Sequence, residues 1–299
     1  MDFLKPAKYF FILSTVLTIA SIVAVFVPGP RLGIEFTGGT RLELQFKQQP
    51  KLEQVAEVVK TTLGEENPLL NINDAGAILL RIKPLEDKQH TALLAALGTK
   101  LGEVKETQYT TIGPTVGSSL KQRSMVALLL ASAGIILYLA LAFQGIPRKY
   151  DPWKFGVVAV ATLLHDVMVT VGIFVILSYT SAFEVDTIFV TALLIILGYS
   201  VNDTIIIFDR IRENLSYQTK GESFAVIANR SIGQGVKRSC FTSLSTLLVL
   251  ISLFFFGPAS IQWFVLALII GILLGTYSSI FVATPLLVYW SEKSPKLSN

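Results

Sequence analysis

The chain has 299 residues, of which 52% are hydrophobic and only 15% are charged, and its mean hydropathy is +0.60. Soluble domains carry about 25% charged residues, so this balance excludes an ordinary soluble enzyme and points to a polytopic membrane protein. A single cysteine, Cys240, excludes an intrachain disulfide and a multi-cysteine metal site, while the formal net charge of +4 has to be read by where the charges lie.

The first apolar segment covers residues 9–27, behind Lys5 and Lys8. It is long for the apolar part of a cleaved leader, and Val27-Pro28-Gly29-Pro30 offers no small-x-small cleavage site, so a retained first span is expected. Residues 28–122 then change character, with charges, turns and alternating apolar positions. Residues 40–46 alternate with period two and predict a strand. Between 51 and 63, Leu52, Val55, Val58, Val59 and Leu63 form one helical stripe, with Gly64 as the stop. A second strand is expected over 77–82, a second helix over 86–101 and a third strand over 103–111. That order predicts a small α+β domain of ferredoxin-like type.

Five further apolar segments cover residues 125–143, 155–177, 187–208, 239–256 and 264–290. Each approximates the roughly 20 residues needed to cross a bilayer. The expected organisation is a first span in 1–27, an extracytoplasmic domain in 28–122, and five helices in 123–299 with a cytoplasmic loop at 209–238 and a C-terminal tail. Charge asymmetry supplies an orientation. Arg148, Lys149 and Lys154 lie between the second and third spans. Arg210, Arg212, Lys220, Arg230, Lys237 and Arg238 lie between the fourth and fifth, and Lys293 and Lys296 follow the sixth. The loops at 179–186 and 257–263 contain no Lys or Arg. Both termini are therefore expected in the cytoplasm and the domain outside, which removes the nucleic-acid reading of the basic charge.

Polar residues inside apolar runs carry the functional argument, because an ionisable side chain at membrane depth is costly unless it faces protein, water or a cation. In the fourth span, Tyr199, Asn202 and Asp203 fall at helical spacings on one face. In the third, Thr162, Asp166 and Thr170 share a face and His165 adjoins Asp166. That pair suits either a proton relay or a hydrogen-bonded tie between helices. Arg238, at the head of a Ser/Thr-rich fifth segment, reads either as a positive flank or as an alternating counter-charge for Asp203. Gly271-x-x-x-Gly275, with Ser279, is a small-residue face for close helix packing. There is no Gly-rich phosphate loop with Lys, no zinc-ligand spacing and no Ser/His/Asp arrangement, so neither an enzyme nor a cofactor is expected.

Gly33-Ile34-Glu35-Phe36-Thr37-Gly38-Gly39-Thr40 resembles the G-[LIV]-D-F-x-G-G-T signature of the SecD/SecF protein-export proteins. Leu164-His165-Asp166, Gly198-Tyr199-Ser200-Val201-Asn202-Asp203-Thr204 and the stretch from Arg238 to Leu248 resemble that family's third-, fourth- and fifth-span patterns, in the SecF version. Glu35 stands where the family often has Asp, and the acid is kept. The resemblance implies six helices forming half of a resistance-nodulation-division architecture, with Glu35, Phe36, Gly38 and Gly39 as signature residues. It implies pairing with a SecD-like subunit, work with the SecYEG channel and a YidC-like insertase on translocating polypeptide, and a surrounding of membrane lipid. It places the chain in a bacterial plasma membrane, or a thylakoid membrane in a photosynthetic source. It further implies that the proton motive force completes export after the ATP-driven step of SecA. Asp203 would carry the proton with Arg238 as its partner, supported by Asp166, His165 and Asn202. The competing reading is a self-sufficient exporter of small molecules or lipids, and a third is a scaffold whose polar spans only pack. Proton and sodium coupling both remain open.

Overall fold

The computed structural model describes residues 3–66, 68–73, 76–143, 146, 150–219 and 221–293. Arg148, Lys149, Lys220 and Lys296, which enter the charge count, lie outside the described residues, as does the side chain of Lys293. The chain divides into two compact units. One comprises Met1–Gly29, Ala127–Ile176 and Ile188–Asn299, and the other Pro30–Val126 together with Leu177–Thr187.

The second unit holds a sheet. After the short helix α2 (Ile34–Thr37) come β1 (Gly39–Phe46), α3 (Leu52–Leu63), β2 (Leu69–Ile72), β3 (Ile78–Ile82), α4 (Asp87–Leu101) and β4 (Val104–Ile112). The strand order is β2-β3-β1-β4 with every neighbouring pair antiparallel. This is the β-α-β-β-α-β ferredoxin-like arrangement. The expected strands and helices are present, and β2 is an addition. Only four residues long, with Leu69 and Ile72 exposed, β2 lacks the in-out alternation that marks its neighbours.

Period two explains the core. Leu42 and Leu44 of β1 and Ile78 and Leu80 of β3 point to one face, where Val55 and Val59 of α3 and Leu93 and Leu97 of α4 cover them; all eight are fully buried. Each such side chain contributes about 1.5–3 kcal/mol relative to exposure. Gly64 ends α3 in the left-handed conformation at φ 72°, as its place after the apolar stripe predicts.

The other unit is a helical bundle. Among the described residues, six helical segments are long and apolar enough to span a membrane: α1 (Ala7–Phe26), α5 (Pro114–Ala142), α6 (Pro152–Thr180), α7 (Thr187–Ser216), α8 (Phe224–Phe256) and a composite sixth. The chain is a multi-pass membrane protein. α7 runs eight residues past its apolar stretch, and α8 begins fifteen residues before its own, so most of 209–238 is helix rather than loop. The sixth segment comprises α9 (Gln262–Ser278), a π-helical turn at Ser279–Ala283 and α10 (Thr284–Lys293). Such turns concentrate at functional sites because they redirect side chains within one helix. Centrally placed α6, α7 and α9 bury most of their packing faces.

Candidate functional site

α7 sets the site. Its buried face includes Ile196, Ser200, Asp203, Thr204 and Ile207. α9 approaches closely because two positions on its facing side carry no side chain. A Cβ at Gly271 would run into Ile196, and one at Gly275 would sit 3.0 Å from Ser200 Cα. The expected small-residue face is therefore an α7–α9 contact. Close approach carries Thr276 and Ser278 to the carboxylates and Ser279 to Thr204.

Asp203 is fully buried. Its Oδ2 accepts hydrogen bonds from Thr276 Oγ1 at 2.9 Å and from Ser243 Oγ at 3.4 Å. Those two hydroxyls lie 2.6 Å apart, so with one proton each Ser243 can donate to Thr276, which donates to the carboxylate, in place of its longer direct bond. Among the described residues, Asp203 Oδ1 has no donor in good hydrogen-bond geometry, and the buried hydroxyl of Ser239, which interacts with the same carboxylate, makes no other bond. Asp166, also fully buried, is better supplied: Oδ2 accepts from Ser200 Oγ at 2.5 Å and Ser278 Oγ at 2.7 Å, and Oδ1 meets His165 Nδ1 at 2.8 Å. His165 Nε2 is buried without a partner among the described residues. Thr204 and Ser279 complete the layer through a 2.8 Å contact. Thr162 and Thr170 bond backbone carbonyls of α6 instead.

Hydrogen bonds to a charged group contribute about 1.5–3 kcal/mol each. Two or three of them offset part of the cost of an ionised carboxylate at this depth. What the site provides is a chain of small rotatable groups around two carboxyls, with one acceptor oxygen and one imidazole nitrogen open. Such an array can take up, hold and release a proton or a small cation.

Two expected members lie elsewhere. Arg238 is exposed, and among the described residues it makes no ion pair with Asp203 or any other acid. Helical rotation explains this: each residue turns about 100°, so with Ser239 facing the bundle its neighbour Arg238 points away. Arg238 and Lys237 instead border a groove of about 1160 Å³ between α5, α7 and α8, with Asp209 and Arg212. Asn202 is likewise exposed, one residue before buried Asp203, and Tyr199 is half-buried, 3.4 Å from Thr246 Oγ1. The expected polar face of α7 therefore splits, with only Asp203 inward. The hydroxyls of Ser200, Thr276 and Ser278 escaped sequence reasoning. The signal for Thr276 and Ser278 is that serine and threonine recur beside Gly271-x-x-x-Gly275, and for Ser200 that it lies three residues before Asp203.

The signature belongs to the sheet unit. Phe36 is buried, and Glu35 faces Arg41 at 3.6 Å while its Oε2 lacks a partner among the described residues. Gly38 and Gly39 adopt φ of 73° and 135°, a region that penalises side chains, and a Cβ at Gly39 would meet Ile82 O at 2.8 Å.

Comparison with known proteins gives a consistent result. The family model for the C-terminal part of the protein-export membrane proteins SecD/SecF matches residues 93–293, and that for the SecD/SecF GG motif matches residues 23–50. A protein translocase subunit SecF from Thermobaculum terrenum is 38% identical, with 98% of this chain and 95% of the relative covered. One from Synechocystis is 36% identical, with 99% and 96% covered. The crystal structure of SecDF from Thermus thermophilus, described as a translocon-associated membrane protein, matches with a TM-score of 0.85 at 31% identity over 98% of this chain. A super-membrane-facing form of SecDF matches with a TM-score of 0.69. The chain spans 39% of the length of those solved chains.

Proposed function

Because the chain belongs to the SecD/SecF family of protein-export membrane proteins, with SecF translocase subunits as its full-length relatives, we propose that it couples the proton motive force to polypeptide export. In this reading a SecD-type subunit completes the assembly, which acts beside a SecYEG channel on chain already advanced by SecA. A YidC-like insertase and membrane lipid are further proposed neighbours. The membrane is the bacterial plasma membrane, with both termini cytoplasmic and the sheet unit outside.

The observation that carries the proposal is Asp203, a carboxylate buried among hydroxyls with one oxygen open. One charge moved through 100 mV is worth about 2.3 kcal/mol, enough to bias a modest rearrangement. A proton bound equally in two conformations moves nothing, so the hydroxyl shell around Asp203 must differ between states. Asp166 and His165 form the second station. Arg238, exposed in this state, would have to turn toward the bundle to act as an alternating counter-charge; Arg238→Ala tests that part separately. Exposed Asn202 and Arg238 suit a face completed by a second subunit, which favours this reading over a self-sufficient exporter.

The test is late-stage translocation into vesicles containing the whole complex, with and without an imposed gradient. Asp203→Asn is expected to remove the gradient-dependent part while assembly persists; a parent-like response would overturn the role of Asp203. Imposing proton and sodium gradients separately identifies the ion.

A further inference from the structure

The α6–α7 turn lies in the sheet unit, although both helices continue into the bundle. It is fastened there by backbone and side chains together. Leu32, just ahead of the signature, pairs with Val185 of the turn as a parallel bridge. Gly33 N–H donates to Val185 O at 2.9 Å, and Val185 N–H donates to Arg31 O at 2.8 Å. Arg31 donates to Ser178 O at 3.1 Å and stacks over the Tyr179 ring at 4.5 Å.

Arg81, from β3, closes the arrangement. One nitrogen donates to Leu32 O and to Glu184 Oε1, both at 2.8 Å, and the other to Thr37 Oγ1 at 2.6 Å. Thus one mostly buried guanidinium ties the sheet, the signature and the α6–α7 turn. A fork of fixed donors suits this task, where an ammonium would act as a single point charge. The signature also meets the start of α5: a Cβ at Gly38 would sit 3.0 Å from Pro114 Cα, and one at Gly117 would sit 2.8 Å from Gly38 N.

α6 carries His165 and Asp166, and α7 carries Asp203. We infer that Arg81 is a positioning residue that makes the signature and the α6–α7 turn one rigid joint, through which a change at the buried carboxylates reaches the sheet unit. This rests on the proposed proton-coupled function. It assigns the signature a mechanical role: Gly38 and Gly39 permit the tight turn, and the extended residues 31–33 before them hold the turn that joins the helices carrying the charge.

The test uses the full complex in vesicles, in a Cys240→Ser background. Arg81→Ala should reduce gradient-dependent export by about fivefold or more, the scale of a lost coupling between sites. Hydrogen exchange at Gly33 and Val185 should accelerate while β1 and β3 stay protected. Adding Leu32→Cys with Val185→Cys should restore export when oxidised and lose it again on reduction, a response that a general loss of packing would not give. Three results overturn the joint: parent-like export in Arg81→Ala while Asp203→Asn is inactive, no rescue by the formed disulfide, or unchanged exchange at Gly33 and Val185. If Asp203→Asn instead responds like the parent, the functional reading fails, and the exchange result still decides whether Arg81 makes the joint.

Discussion

The two buried aspartates differ in what they leave unsatisfied. Asp166 has both oxygens engaged, by Ser200, Ser278 and His165, whereas Asp203 engages only Oδ2. Removing Asp166 strands the Ser200 hydroxyl and an imidazole, while the Ser278 hydroxyl can still donate to Gly275 O. Removing Asp203 leaves Ser243 and Thr276 still bonded to each other. Stranded buried polar groups cost about 1–3 kcal/mol each. Asp166→Ala should therefore lower the thermal midpoint of the purified protein more than Asp203→Ala; the opposite order would contradict this account. A residue-scale prediction outside the membrane concerns Tyr109 of β4, stacked on His90, which in turn meets Glu106. Burial, with Asp87 and Glu106 nearby, pushes the Tyr109 phenol above its usual 10.0. The folded phenol holds its proton more tightly than the unfolded one. This contribution to stability is present below pH 10.0 and is lost as pH rises through the folded value. Tyr109→Phe should flatten that alkaline decline of the sheet unit, measured by thermal unfolding across pH.

Between elements, the decisive contact is α7 against α9. Gly275→Leu would push α9 off Ser200 and carry Thr276 and Ser278 away from both carboxylates at once. Overpacking of this kind costs about 1–3 kcal/mol. Gradient-dependent export should fall in parallel, whereas Gly134→Leu on α5, where a Cβ meets open space, should be tolerated in both measurements. This scale also shows what the sequence could carry. Asp203 and Asp166 were legible because a charge in an apolar run is conspicuous, and Gly271 and Gly275 because their spacing is a packing pattern. The donors Thr276 and Ser278 were not, since they sit at the end of α9, just ahead of a π turn that breaks the usual helical arithmetic. Arg238 and Asn202 were misdirected by one residue of rotation: each adjoins a buried neighbour and itself faces outward. Four-residue β2 carried too little pattern to be seen.

At the scale of the whole molecule, the one-sided charge of the loops predicts sidedness. An impermeant thiol reagent applied to intact cells lacking their outer membrane should label Gly64→Cys in a Cys240→Ser background. It should leave Gln234→Cys unlabelled until the membrane is opened. Reversed labelling would invert the proposed orientation. Both positions are exposed, with Gly64 beyond the end of α3 and Gln234 beside the groove.

Exposed Asn202 has a consequence for the life of the chain in the cell. An amide in an apolar run is expensive against hydrocarbon. In the proposed assembly, a copy made without its partner would keep that side uncovered, a mark that would distinguish surplus chains from assembled ones. Membrane quality control could then set the subunit ratio by removing what is left over, with no need to match synthesis rates. Asn202→Leu should lengthen the half-life of the chain expressed alone and leave the half-life of the assembled complex unchanged.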